Sequence, residues 1–313
     1  MKKIFRPIIV ATMLLGLASQ QVYAIDTTAI NEKWGKPTVV YGGGLNDQQI
    51  KETSQLLGIK DENTVTTTKA TGEDLVKYLG AGEANTSVMI SSVMVQKRNK
   101  GEGVKVHIAT PKNITLVTSE QYANAAITAG VADAEIEVAA VSKVTGESAL
   151  TGVYKAFEAN GVVLDGKRTA VAQKELELTN QIAQEQAKEK GFDAAKLDQA
   201  MIDIKKALAE IKEKQGQVAT KEDVERIVNE ALKKYGLDKV ISPTQVNNII
   251  QFALSYQQTS AIDSKQVLEQ LNSLSNTVKG KIGQLVDQAN REGWLDKIVT
   301  FFKEIFNAIF SSK

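Results

Sequence analysis

The feature that most constrains the fold is a change of composition at Gly166. Before this glycine, β-branched runs alternate with amphipathic segments, whereas after it the strand-like runs vanish and Ala, Glu, Gln, Lys and Leu dominate. Strand patterns followed by purely helical patterns indicate an α+β part and an all-α part. The sequence therefore predicts an α+β domain, with a mixed sheet and packed helices, at residues 25–163 and an all-α helical region at residues 164–292.

Two β-rich runs in the first part, residues 86–97 and 104–109, flank a polar loop that contains Gly101 and Gly103. Short β runs around a glycine-containing loop are typical of a hairpin, in which the two strands pair directly. The sequence thus predicts that these two strands are neighbours in the sheet.

The stretch from Thr118 to Asn160 has the clearest local pattern, which is helix, strand, helix. Thr118 followed by Gln121 forms a capping box, and Gly130 suits the end of the first helix. The strand follows from there, and the second helix stops at Asn160. Within that helix, Gly152 reads as a point of close packing.

The predicted strand of this stretch carries an acidic row. Apolar Ala134, Ile136 and Val138 share one face by period two, and the opposite face holds Asp133, Glu135 and Glu137. Alternate strand residues lie roughly 7 Å apart, which is too far for all three carboxylates to hold one cation. We expect an exposed acidic face that is either simply solvated or turned toward a basic or cation-bridged partner.

The N-terminal residues 1–24 have the pattern of a secretory signal peptide. A basic start is followed by an apolar run from Ile8 to Ala18 and by the small-x-small sequence that ends at Ala24. The sequence therefore predicts an exported protein, located outside the cell or in the cell envelope, whose mature chain begins at Ile25.

Composition excludes several classes of function. Without residues 1–24 the chain keeps 35 basic and 37 acidic side chains, a net charge of −2, so we expect no nucleic-acid partner. The absence of cysteine rules out disulfides and thiolate chemistry, and a single histidine argues against a zinc site. We therefore predict no metal and no cofactor.

No catalytic motif stands out, and no catalytic residue is assigned. His107, the lone imidazole, is predicted on a strand, and the segment from Gly146 to Leu150 lacks the last glycine of a nucleophile elbow. An enzyme would therefore need a site that assembles only in three dimensions, from a Ser or Thr nucleophile or from carboxylates of the α+β domain.

The C-terminal segment, residues 293–313, predicts a strongly one-sided amphipathic helix. The polar residues within 294–310 gather within about 120° of arc at 100° per residue. The remaining apolar face is predicted to contact a membrane or a partner through Trp294, Leu295, Ile298, Phe301, Phe302, Ile305, Phe306, Ile309 and Phe310. Such a helix suits a membrane interface or a partner's groove, and covering the protein's own helical core is the alternative.

Several short motifs together resemble one family. They include Asn113-Ile114-Thr115, Tyr122 with Asn124-Ala125, Thr128-Ala129-Gly130-Val131, Asp133-Ala134, and Gly146 with Ala149-Leu150-Thr151-Gly152. Across residues 38–256 the chain resembles the YpuA-like family of exported proteins of Gram-positive bacteria. The resemblance implies export and the two-part architecture, and it implies no activity because the family's function is unknown.

The sequence as a whole predicts an exported cell-envelope protein of unknown activity. Its expected role is that of a non-enzymatic, surface-associated interaction or structural module with a membrane-interfacial C-terminal helix. Expected partners are a membrane surface or an envelope protein, with the helical region as a possible coiled-coil contact, and the oligomeric state is open. The alternative is an envelope hydrolase with its site in the α+β domain.

Overall fold

The structure, a computed structural model, describes residues 34–80 and 82–282 of the 313-residue chain. The predicted signal peptide, residues 1–24, and the predicted amphipathic helix, residues 293–313, lie outside the described residues. Everything said below of the fold concerns the described ranges.

The strand-like runs of the first part form one mixed sheet of five strands in the order β2-β1-β3-β5-β4. The β1–β2 and β4–β5 pairs are parallel, while β3 is antiparallel to both β1 and β5. The strands are β1 (Thr38–Gly42), β2 (Thr66–Ala70), β3 (Ser92–Lys97), β4 (Val104–Ile108) and β5 (Ala134–Ala139).

The predicted hairpin is wrong, because β5 lies between β3 and β4. Asp133, just before β5, holds the connecting loop: its Oδ1 accepts hydrogen bonds from the backbone N–H groups of Gly101 and Gly103, both at 3.0 Å. Its carbonyl also accepts from the Arg98 N–H at 2.6 Å. The loop is therefore spread around the entry to β5, so the two flanking strands do not meet. A period-two pattern indicates a strand but not its neighbour.

Four helices accompany the sheet, namely α1 (Asp47–Leu56), α2 (Gly72–Leu79), α3 (Ser119–Ala129) and α4 (Ser148–Ala159). The capping box of Thr118 and Gln121 is present on α3, and Gly130 ends that helix in the left-handed region at φ 101°. Both features confirm the pattern read from the sequence. At Gly152 an added Cβ would lie 3.0 Å from Cγ2 of Val93, so α4 does approach β3 closely there.

The second part is helical, as its composition predicts. It contains α5 (Gly166–Gln186), α6 (Ala194–Gln215), α7 (Lys221–Lys234), α8 (Pro243–Tyr256) and α9 (Lys265–Ile282). The coarse prediction of a mixed sheet with packed helices followed by helices is thus confirmed.

Helix α3 is the layer that joins the two parts. All of its residues except Ser119 are buried, although the helix is short. It packs on the sheet through β4 and on the helical part through α5, α6 and α9. One hydrophobic cluster consequently runs without interruption from Val40 in the sheet to Ile282 in α9.

The other face of the sheet carries a smaller cluster. Val39, Tyr41, Met94 and Ala139 pack there with Leu57, which follows α1. The Tyr41 hydroxyl lies 2.7 Å from the Ser54 hydroxyl and ties α1 to the sheet. Strand β5 is therefore covered on both faces at its centre. Acidic side chains at its centre are consequently buried rather than exposed.

Candidate functional sites

Asp133, the first member of the acidic row, is a buried structural residue. It has a φ of 48°, which is unusual for a residue with a side chain, and its carboxylate is occupied by the loop N–H groups of Gly101 and Gly103. A carboxylate that accepts backbone N–H bonds in this way stabilises the turn it sits in. Asp133 is therefore not part of an exposed acidic face.

Glu135, the second member, is half-buried in an ion pair with Arg98. In the sheet it stands between Gln96 of β3 and Lys105 of β4. Basic side chains of this chain thus already surround the carboxylate, and its place on the strand is that of an internal ion pair at the border of the sheet face.

Glu137, the third member, is the most unusual of the row. Its residue is only 2% exposed, and its Oε1 has no hydrogen-bond partner. Burial raises the pKa of Glu137 to about 8, because the surroundings disfavour the charged form. The expectation of an exposed acidic face is therefore wrong for Asp133 and Glu137. The period-two pattern assigned the face correctly but could not show that this face is also covered.

The structure places the only histidine of the chain beside this carboxyl group. His107 of β4 is the direct register partner of Glu137, and Met94 of β3 is its partner on the other side. Side chains at paired positions point to the same face with Cβ atoms about 5 Å apart. A carboxyl group that is protonated near neutral pH next to an imidazole can donate and accept protons.

A second polar assembly, here called the α3 network, lies deep between α3, α5 and α6. Lys205 of α6 and Glu175 of α5 form an ion pair at 2.8 Å, and each side chain is only 1% exposed. The Lys205 Nζ also donates to Oδ1 of Asn124 at 2.6 Å and to Oγ1 of Thr128 at 2.9 Å. The Thr128 hydroxyl in turn donates to Oε2 of Glu175 at 2.6 Å.

The C-terminal end of α3 adds a second cation to this region. Arg168 donates from Nε to the Thr128 carbonyl at 2.8 Å and from Nη2 to the Ile127 carbonyl at 3.1 Å. Both carbonyls belong to the last turn of α3, where that of Ile127 also accepts from the Gly130 N–H, and a cation at this end suits the helix dipole.

Two buried tyrosines belong to the surroundings of the α3 network. The hydroxyls of Tyr154 and Tyr256 are buried without a hydrogen-bond partner, and the Lys205 Nζ lies 5.7 Å from the centre of the Tyr256 ring. Burial, with the nearby charge of Glu175, raises the pKa of both hydroxyls above the ordinary value. Both tyrosines are thus buried, uncharged groups.

Sequence analysis did not find the α3 network, although a signal for it exists. Lys205 follows Met201 by four residues and precedes Leu208 by three, so it stands on the apolar stripe of its helix. Glu175 stands on its own stripe in the same way, four residues after Val171. A charged residue on an apolar stripe predicts a buried pair, but the partner emerges only from the packing.

The described surface also has two shallow grooves. One, of about 300 Å³, lies between α5 and α8, and the other, of about 370 Å³, lies between α6 and α9. Within residues 34–80 and 82–282, no helix is long and apolar enough to cross a membrane. The same ranges contain no group of three or more side chains suited to hold a metal ion.

Comparison with known proteins gives a family and no activity. Residues 41–274 match the family described as "Protein of unknown function (DUF1002)". The chain belongs to this family. It is also 30% identical to the protein described as "Uncharacterized protein YpuA" of Bacillus subtilis (strain 168), over 320 aligned positions that cover 99% of each chain. These matches confirm the resemblance read from the motifs around Asn124 and Gly146, and no solved structure matches the chain.

Replacement of Glu137 by Gln should change the pH dependence of stability. Between about pH 4.5 and pH 8 the folded state holds a proton on Glu137 that the unfolded state has lost, so stability falls as pH rises through this window. The glutamine variant has no titrating group at this position, so its stability does not fall in this way. Its free energy of unfolding in urea should therefore rise relative to the original protein by about 3–4 kcal/mol between pH 5 and pH 8.

The comparison is internally controlled. Burial also raises the pKa of Asp198 to about 8, but Asp198 is present in both proteins, so the difference between them isolates Glu137. A difference that stays constant between pH 5 and pH 8 would show that Glu137 is ionised in the folded protein.

Proposed function

We propose that this is an exported protein of the cell envelope, a non-enzymatic interaction or structural module that attaches to the outer face of the membrane through residues 293–313. The signal-peptide pattern of residues 1–24 supports export, and the Trp- and Phe-rich apolar face of the C-terminal segment supports attachment. The four charged residues within residues 294–310 argue against a membrane-spanning role.

The surface of the described residues has few exposed apolar side chains. Only four large apolar side chains are exposed there: Leu56, Val88, Val162 and Val163. They lie on α1, before β3, and between α4 and α5, so none belongs to the helices α5–α9. The exposed surface of the described helical region is therefore largely polar.

Vesicle flotation tests the attachment. The mature chain should rise with vesicles, whereas a chain without residues 293–313 should remain at the bottom of the gradient. A matched pair of full-length variants separates the apolar face from mere length: Phe302→Ser and Phe306→Ser together should abolish flotation, while Thr300→Ser and Asn307→Ser on the polar face should leave it unchanged. Equal behaviour of the full-length and shortened chains would contradict attachment through this segment.

A second candidate function is supported by the pair of Glu137 and His107. An envelope hydrolase with a carboxylate site needs a proton donor that stays protonated near neutral pH, and the raised pKa of Glu137 meets that need. His107 stands at the next position across the sheet as a possible base. This candidate ranks second, because Glu137 is only 2% exposed.

Purified cell walls and simple aryl esters are suitable substrates for a test of this second candidate. If Glu137 and His107 form a site, hydrolysis should occur, and Glu137→Gln and His107→Ala should each lower kcat at least 100-fold (roughly the value of one general acid or base). Lys105→Ala, on the same face of β4, is the control that should retain activity. Activity that survives both site variants would exclude this pair.

A further inference from the structure

We propose that Lys205 and Asn124 react with each other inside the folded protein to form an amide bond, with Glu175 as the proton carrier. The bond would join α6 to α3 covalently. Such a cross-link goes beyond the envelope function proposed above and does not depend on it, because it needs only the folded chain.

The contact geometry carries the proposal. The Lys205 Nζ lies 2.6 Å from Oδ1 of Asn124 and 2.8 Å from Oε1 of Glu175, so the amine, the carboxamide and the carboxylate meet at one point. Groups held at contact distance react with effective concentrations far above those in solution.

The surroundings favour the reactive form of the lysine. Lys205 is fully buried, and burial lowers its pKa because the interior disfavours the ammonium. Among the described residues Lys205 is the only buried lysine, because every other described lysine is at least partly exposed. Tyr256, whose ring centre lies 5.7 Å from the Lys205 Nζ, is fully buried, and Asn124 and Glu175 are at most 2% exposed, so bulk water does not reach the carboxamide.

The reaction balances without any added reagent. Glu175 takes a proton from the Lys205 ammonium, and the neutral Nζ attacks Cγ of Asn124. Glu175 then passes that proton to Nδ2, the Cγ–Nδ2 bond breaks, and the new amide loses its excess proton to the departing nitrogen. Of the three ammonium protons, one stays on the amide and two leave with Nδ2 as ammonium. Glu175 ends as the carboxylate it began as, and nothing is oxidised or reduced.

The amide would replace a costly arrangement by a neutral one. A buried ammonium requires compensation for its lost hydration, whereas an amide requires only hydrogen bonds. The cross-link would also join two positions that lie far apart in sequence and so reduce the conformational entropy of the unfolded chain. A disulfide stabilises a folded protein in the same way. The chain has no cysteine with which to make a disulfide.

Mass spectrometry of the purified protein is the direct test. Its intact mass should be lower than the sequence mass by one ammonia, after its terminal peptides have defined both ends of the chain. Trypsin cannot cleave after a modified Lys205, so digestion should release one branched species that joins residues 113–143 to residues 197–206. An intact mass equal to the sequence mass, or a branch at other residues, would overturn the proposal.

Variants assign the roles of the three residues. Lys205→Arg and Asn124→Ala should each abolish the mass loss, and Glu175→Gln, which cannot carry the proton, should do the same. Glu177→Gln is the matched control, because Glu177 is exposed on the same helix and outside the α3 network; it should show the full mass loss. If Glu175→Gln is folded by circular dichroism and still cross-linked, the role of Glu175 is refuted. If it does not fold, the original protein alone decides whether the bond exists.

Discussion

The structure depends on the burial of one short helix on all sides. Helix α3 separates the sheet from α5, α6 and α9, and its polar residues Asn124 and Thr128 point into the helical part. Lys205 donates hydrogen bonds to both of these side chains, and Glu175 accepts one from Thr128. Removal of one partner from such a pair costs about 3–5 kcal/mol, because the other charge is left buried and unpaired. The α3 network is therefore a strong contact between the helical part and the α+β part, beside the packing of α2 on α5.

Local chemistry was readable from the sequence wherever the determining groups are neighbours in the chain. Thr118 and Gln121 define the start of α3 whatever surrounds them, and Gly130 defines its end. The order of strands was not readable, because the insertion of β5 between β3 and β4 depends on Asp133 meeting a loop some 30 residues earlier in the chain. Pairing of that kind leaves no local periodicity.

The same difference between local and long-range determinants explains which features of the candidate sites could be predicted from the sequence. Alternation along β5 placed Glu135 and Glu137 on one face correctly, but their burial and the presence of His107 beside Glu137 follow from the sheet order. Lys205 and Glu175 stand on apolar stripes of their helices, which is a warning sign, yet only the packing of α3 brings them together. Family membership over residues 41–274 gives no activity, so the functional argument rests on individual residues.

The central claim is that the two parts unfold together because α3 and its network belong to both. Native-state hydrogen exchange in increasing urea tests this most directly, since it resolves the opening free energy of each segment. Amides of β5, α3 and α6 should converge on one free energy and one urea dependence. Exchange of α6 through a separate opening of lower free energy, while β5 and α3 stay protected, would contradict the claim.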